Sequence, residues 1–362
     1  MANLMTAYIG LGSNLGDREA NVRAAVEMLA ETADVEVTGV SDALETAPLG
    51  GADQPEYVNA VAQIRTGLDA EALHEKLHAV ETALGRERKE KWSPRTIDLD
   101  LLLFGAQVIN LAHLTVPHPQ MHLRSFVLGG LCQLDERLMH PVMKESVRKL
   151  AARLNGCNFV LNPQAPQLVS VAGIIGVGKT TLTQKLAGLL GCKPIFEAYD
   201  KNPFLADVYG GRKELALDSQ LFFLTSRVEQ LNSDGLTGGQ IAVSDYVFDK
   251  EMIYARCLLD ARQLPLYEKV YRGFASKVSS PVLVIYLHDS PENCLERIHQ
   301  RSRPYERLIK REFLEDLSCG YERLFADWRV CPLMRINMSE FDTRPDNDLE
   351  NLAKQIKYYT AE

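Results

Sequence analysis

The amino-acid sequence predicts two domains in tandem, an α+β domain followed by an α/β domain built on a parallel sheet. Three observations carry that prediction. At 362 residues the chain is long enough for two hydrophobic cores. Residues 1–155 alternate half-buried strand patterns with amphipathic helices, whereas an apolar strand at 168–172 runs through a glycine-rich loop into a helix. Residues 156–167, with Gly156, Asn162, Pro163 and Pro166 and no apolar period, read as the linker to a second domain at 168–362.

A formal net charge of −8 argues against a general nucleic-acid binder, which would present a basic face. The seven scattered cysteines form no C-x-x-C pair, the pattern of reduced thiols in a cytoplasmic protein. The run from Met1 into a strand at Thr6 lacks a basic leader, and no apolar stretch is long enough to span a bilayer, so no membrane partner is expected.

In chain order, Thr6 to Leu11 reads as a strand closed by Gly12-Ser13-Asn14-Leu15-Gly16-Asp17. Asp17 caps a helix over Arg18 to Thr32, apolar at Val22, Ala25, Val26 and Leu29. Val35 to Leu44 reads as one strand, Thr46 to Pro55 as a loop, and Tyr57 to Ile64 as a strand. Ala70 to Leu84 is a helix with Leu73, Leu77, Val80 and Leu84 on one face. The basic loop Gly85 to Arg95 follows, with Trp92 placed to pack on a ligand or close as a lid.

That loop enters Asp98-Leu99-Asp100-Leu101-Leu102-Leu103-Phe104. Alternation sends Leu99, Leu101 and Leu103 into a core and puts Asp98 and Asp100 together on the other face. Two like charges this close fit either a hard divalent cation or a solvent-facing strand. The neighbouring arginines favour the cation, since guanidinium groups and Mg2+ around one space suit a triphosphate.

Residues 6 to about 154 resemble 6-hydroxymethyl-7,8-dihydropterin pyrophosphokinase, an ATP-dependent enzyme of folate biosynthesis. The matching motifs are Gly12-Ser13-Asn14-Leu15-Gly16, Thr46-Ala47-Pro48-Leu49-Gly50, Asp53 to Ala60, Gly85-Arg86-Glu87-Arg88, Trp92 to Asp100 and Val116-Pro117-His118-Pro119. The resemblance implies a ferredoxin-like α+β fold, with two Mg2+ ions held by Asp98 and Asp100. It places Arg86, Arg88, Arg95 and Arg124 on phosphates, with Trp92 beside them, and Glu81, Thr115 and His118 around ATP. Tyr57 and Phe126 would sandwich the pterin while Thr46, Leu49 and Asn59 meet its polar edge.

In the second half, Gly173-Ile174-Ile175-Gly176-Val177-Gly178-Lys179-Thr180 is a full phosphate loop in strand-loop-helix context. Its backbone N–H groups face phosphate, Lys179 reaches the outer phosphates and Thr180 can ligate Mg2+. Lys193 to Glu197, Gln240 to Asp245 and Val282 to Leu287 read as further strands, with Glu197 and Asp245 at the carboxyl ends where an open parallel sheet binds ligands. Ser290-Pro291-Glu292 starts a helix carrying Arg297 and Arg301, with Arg303 beyond, a lid over ATP or a solvated face.

Residues 168 to about 358 resemble the bacterial deoxyadenosine and deoxyguanosine kinases. Besides the phosphate loop, the motifs are Phe196-Glu197, Asn202-Pro203-Phe204-Leu205, Gln220 to Leu224, Ser244-Asp245-Tyr246 and Arg297 to Arg303. The resemblance implies Glu197 as general base and Asp245 as a Mg2+ partner, with Gly173, Gly176, Gly178, Thr180 and Thr181 on ATP. Tyr209 and Glu306 would take the 3′-hydroxyl, Gln220 and Arg227 the base, and Arg297, Arg301 and Arg303 phosphates; homodimers are common among such kinases. Many relatives carry an arginine where Tyr246 stands. That departure leaves two readings of this half, a deoxynucleoside kinase and a non-catalytic nucleotide sensor.

Overall fold

The computed structural model describes residues 4–49, 54–86, 94–232, 235–342 and 348–361. The chain forms two compact units, Met1–Val160 and Leu161–Glu362.

The first unit contains β1 (Met5–Ser13), α1 (Arg18–Glu31), β2 (Val35–Val40), β3 (Leu44–Thr46), β4 (Tyr57–Thr66), α2 (Ala70–Ala83) and β5 (Asp98–Phe104). The strands pair antiparallel in the order β2-β4-β1-β5, with β3 also on β4. This is the ferredoxin-like βαββαβ arrangement. Both helices start on aspartate caps: Asp17 accepts from the Ala20 amide at 3.0 Å and Asp69 from the Ala72 amide at 2.8 Å.

Val35 to Leu44 is not one strand. β2 and β3 use different stretches of β4, and between them Ser41 exchanges two 2.9 Å hydrogen bonds with the Val61 backbone through its own amide and hydroxyl. The break lets β3 lead into Ala47, Pro48 and Leu49, which line a cleft with Asp98 and Asp100.

Ile9, Leu11, Ala60, Ala62, Ile64, Leu99 and Leu101 pack in one core with Val22, Ala25 and Leu29 of α1 and Leu73, Leu77 and Val80 of α2. Leu103 does not join them. The β1–β5 register shifts between Tyr8 and Ile9, so Leu103 pairs with Tyr8 and Phe104 enters the core in its place. The opposite face is partly covered by α3 (Ser125–Asp135), where Gly130 lies against Val61. The hairpin β6 (Ile109–Asn110) and β7 (Thr115–Val116) and helix α4 (Val147–Leu154) complete this unit.

The second unit is organised on β8 (Gln167–Ala172), the middle strand of a five-stranded parallel sheet. Its partners are β9 (Lys193–Ile195), β10 (Ile241–Ser244), β11 (Leu283–His288) and β12 (Leu333–Asn337), in the order β12-β11-β8-β10-β9. Sequence reasoning found four of these strands and took Val282 to Leu287 as the last. β12 escapes because it is a short edge strand with exposed Arg335 in its middle, neither alternating nor continuously apolar. Around the sheet lie α5 (Lys179–Leu190), α6 (Leu205–Tyr209), α7 (Ala216–Leu231), α8 (Glu251–Leu258), α9 (Gln263–Ala275), α10 (Pro291–Arg301), α11 (Arg311–Ala326) and α12 (Asp348–Tyr359). Among the described residues no helix is long and apolar enough to cross a membrane.

Candidate active sites

In the first unit the open face of the sheet carries a cleft whose floor is set by register. Asp98 pairs with Gly12 and Asp100 with Gly10, so neither carboxylate has a cross-strand side chain beside it on β1. A Cβ at Gly12 would sit 3.0 Å from Asn59 Oδ1, so glycine is what lets the Asn59 amide approach. Thr46, Leu49, Tyr57, Asn59, Arg95, Asp98, Asp100, Arg124 and Phe126 all line this one cleft. Asn59 Nδ2 donates to Thr46 Oγ1 at 2.8 Å, which fixes the amide at its wall.

Each carboxylate is met by its own cations. Asp98 takes Arg95 at 2.6 Å and Arg86 at 2.7 Å, and Asp100 takes Arg124 at 3.3 Å with His118 Nε2 at 3.8 Å. Burial, then the Asp100 charge, pushes the Asp98 carboxyl above its usual range despite the two arginines. Burial acts on Asp100 in the same sense, but His118, Arg124, Arg86 and Arg95 together hold it below the usual range. Burial also lowers His118, against the pull of Asp100.

Glu81, expected around ATP, is instead buried behind the strand. One oxygen accepts the Leu99 amide at 2.7 Å and binds Arg86, and the other meets His78 at 2.9 Å. Its structural role is therefore to brace Arg86 and the start of β5. Thr115 lies exposed on β7. Arg88 and Trp92 fall outside the described residues. Sequence reasoning gave no role to Asn14 or Gln54. Asn14 Oδ1 accepts the Arg95 amide at 2.8 Å and its Nδ2 donates to Gln54 Oε1 at 3.3 Å, so it clamps the arginine's backbone beside the cleft. Their place inside matched motifs was the available signal.

In the second unit the loop after β8 adopts positive φ at Gly173 (140°), Gly176 (84°) and Gly178 (107°). At Gly176 a Cβ would also strike the Cys294 carbonyl, so only glycine fits. Gly178 is the N-cap of α5, which places Lys179 and not Leu182 at the helix start. Lys179 Nζ donates to the Ile174 carbonyl at 2.8 Å, and burial draws its ammonium down to about 8, against the pull of Asp245. Thr180 Oγ1 donates to Asp245 Oδ2 at 2.7 Å, and Asp245 Oδ1 accepts the Glu197 amide at 2.8 Å. The phosphate loop, Asp245 and Glu197 are thus one hydrogen-bonded chain.

Gly176, Gly178, Lys179, Thr180, Thr181, Tyr209, Arg301, Arg303 and Glu306 line the phosphate-loop cleft. A second cleft shares Ile175, Tyr199, Leu205 and Tyr209 with it and is lined further by Glu197, Gln220, Arg227 and Lys250. Arg301 grips Glu306 with two bonds, Nε at 2.6 Å and Nη2 at 2.5 Å. Arg297 lines neither cleft and pairs with Asp289 just before α10, whereas Arg301 and Arg303 line the phosphate-loop cleft. Glu197 is bound by Arg227 at one oxygen and by Lys250 at the other, 2.7 Å away. Arg227 also binds Glu251, which accepts from the Tyr267 hydroxyl. Burial, then the Arg227 and Lys179 charges, draws the Lys250 ammonium well below the ordinary lysine value. Tyr246 is fully buried and donates to Gln230 Oε1 at 2.6 Å. The sequence offered no signal for Lys250 beyond a lysine at the start of a helix.

An antiparallel α+β unit with paired carboxylates under arginines, and a parallel-sheet unit with a complete phosphate loop, define a two-part ATP-dependent phosphotransferase. The family model described as 7,8-dihydro-6-hydroxymethylpterin-pyrophosphokinase (HPPK) matches residues 8–136, and that described as deoxynucleoside kinase matches residues 169–360. A 2-amino-4-hydroxy-6-hydroxymethyldihydropteridine pyrophosphokinase of Bacillus subtilis is 46% identical over 132 residues, covering 36% of this chain and 79% of that protein. The enzyme of the same name from Haemophilus influenzae is 38% identical over 151 residues, 41% of this chain and 94% of that protein. A deoxyadenosine/deoxycytidine kinase of Bacillus subtilis is 30% identical over 197 residues, 52% of this chain and 91% of that protein. The chain belongs to both families, a pyrophosphokinase domain followed by a deoxynucleoside kinase domain on one polypeptide.

Proposed function

We propose that the first domain transfers a pyrophosphoryl group from ATP to 6-hydroxymethyl-7,8-dihydropterin and the second phosphorylates the 5′-hydroxyl of deoxynucleosides. The observation that best supports the first reaction is that the Asp98 and Asp100 pair lines one cleft together with Tyr57, Phe126, Thr46, Leu49 and Asn59. Two rings suit a flat heterocycle, and an amide suits its donor-acceptor edge. Two hard carboxylates on one face fit Mg2+, which takes one or two carboxylates and completes its shell with phosphates and water. Bound there, the metal would neutralise the phosphates. Arg86, Arg95 and Arg124 would follow the negative charge as the Pβ–O bond to the α-phosphate breaks and the pterin oxygen takes its place, with AMP leaving.

For the second reaction the supporting observation is that the cleft lined by Glu197 shares Ile175, Tyr199, Leu205 and Tyr209 with the phosphate-loop cleft. Glu197 would take the hydroxyl proton, Lys179 would reach the outer phosphates and Thr180 with Asp245 would hold Mg2+. Gln220 and Arg227 would meet the base, and Tyr209 with Glu306 the 3′-hydroxyl. We further infer domains at 1–155 and 168–362, a cytoplasmic setting and a homodimer; the free state of all seven cysteines supports the setting.

The experiment is an assay of the full chain with labelled ATP, once with the pterin and once with each of the four deoxynucleosides. AMP release in the first and a labelled monophosphate in the second are expected. Tyr246 supports the rival, a nucleotide sensor, for which nucleotide would bind and no deoxynucleoside would be labelled.

A further inference from the structure

We propose that Lys250 is a positioning residue of the second reaction, supplying the catalytic carboxylate with the cation that position 246 does not. The inference rests on Glu197 acting as general base. With Lys250 protonated on the Glu197 oxygen, Glu197, Glu251, Arg227 and Lys250 form a buried set of two carboxylates and two cations, a neutral cluster. Within it the ion pairs divide the work. Arg227 bridges both carboxylates, whereas the Lys250 ammonium sits on the Glu197 oxygen that Arg227 leaves, at 2.7 Å. With both oxygens held, the carboxylate has one orientation toward the cleft that Lys250 itself helps to line. Each oxygen keeps a lone pair for the incoming hydroxyl.

Tyr246 builds the seat for this arrangement. Its ring lies under both cations, 5.7 Å from the Arg227 guanidinium carbon and 5.7 Å from Lys250 Nζ, while Tyr254 lies 5.2 Å from the same ammonium. The hydroxyl is anchored on Gln230. An arginine at 246 would add a third cation to a balanced set, so the tyrosine and the lysine belong together. Burying four charges is not an efficient route to stability, since apolar residues of similar volume would do as well. Their arrangement around one carboxylate accounts for them better.

The charge arithmetic of the step follows. The bond from the sugar oxygen to the γ-phosphorus forms, the bond from that phosphorus to the β,γ-bridging oxygen breaks with its electron pair going to ADP, and the hydroxyl proton passes to Glu197. With Glu197 neutral, the cluster carries Arg227 and Lys250 against Glu251 alone, a net charge of +1 beside the newly transferred group. Lys250 thus orients the base before the transfer and balances negative charge after it.

The test is steady-state phosphorylation of deoxynucleosides by the full chain bearing Lys250→Ala or Lys250→Met. The expected result is a fall in kcat of at least about 100-fold with the nucleoside KM changed by less than about fivefold. Methylammonium should restore at least about tenfold to Lys250→Ala, by occupying the space of the lost amine, and nothing to Lys250→Met. A kcat within about threefold of the unsubstituted chain, or a loss that methylammonium does not relieve, would overturn the assignment. If both variants fail to fold, 15N NMR of the unsubstituted chain decides: a protonated Lys250 ammonium at neutral pH is expected, and a neutral amine would refute it. Absence of any nucleoside phosphorylation by the unsubstituted chain would sink the kinase reading itself, a different outcome from an active enzyme indifferent to Lys250.

Discussion

The cleft of the first unit and that of the second both surround carboxylates with cations, but one is wet and the other dry. Asp98 and Asp100 keep side-chain exposures of 24% and 34%, and their arginines between 16% and 20%. Glu197, Glu251, Arg227 and Lys250 are each at 4% or less. In the wetter cleft the charges are only partly buried and can exchange partners as phosphates and metal arrive. In the dry cleft the partners are fixed before any ligand comes, and no charge can be removed without stranding another. Substitution should therefore cost the first site mainly activity and the second site activity together with a larger share of stability.

The largest effect that tests this contrast is expected from Asp98→Ala or Asp100→Ala. Pyrophosphoryl transfer should fall by about 10³-fold or more, with nucleoside phosphorylation unchanged and a smaller loss of thermal stability than at the second site. AMP release surviving either change would remove the metal assignment. Glu197→Gln comes next. It should lower nucleoside phosphorylation by about 10² to 10⁴-fold and destabilise the second unit by about 3 kcal/mol or more, because Arg227 and Lys250 are left without that carboxylate. A melting temperature equal to that of the unsubstituted chain would show that dryness has no energetic consequence here.

A third prediction concerns which unit yields first to acid. His140 in the first unit is buried and its Nδ1 accepts the Val142 amide at 3.3 Å and the Met143 amide at 3.2 Å. Burial, helped by the Arg153 charge, holds it down to about 4 from an ordinary 6.5. Because the folded value is the lower one, the unfolded chain binds the proton first. Stability is full above about pH 6.5 and is lost as pH falls toward 4, by about 3 kcal/mol in all. Chemical denaturation of the full chain across that window, with and without His140→Gln, should show the slope flatten in the variant. The smallest effect is expected from Tyr57→Leu or Phe126→Leu, a rise of about 2- to 10-fold in the pterin KM with kcat nearly unchanged. A kcat loss larger than the KM change would mean that the rings act in the transition state and not as a slot.

What could be read in the sequence is what local rules govern. Strand alternation put Asp98 and Asp100 on one face, Asp17 and Ser290 mark helix starts as caps, and the phosphate loop carries its own geometry because three glycines take backbone angles that other residues resist. Those rules need only a few neighbouring residues. What tertiary structure alone decided depends on partners far apart in the chain. The bulge that moves Leu103 off the core answers to β1, the division of Val35 to Leu44 answers to Ser41 on Val61, and β12 exists because β11 offers it an edge. Glu81 is turned into the protein by Leu99, and Arg297 away from the phosphate loop by Asp289. Lys250 is the clearest case. Its sequence neighbours show only a lysine at a helix start, and it acquires a role because Glu197, 53 residues earlier, accepts its hydrogen bond in a space too dry for either charge to stand alone.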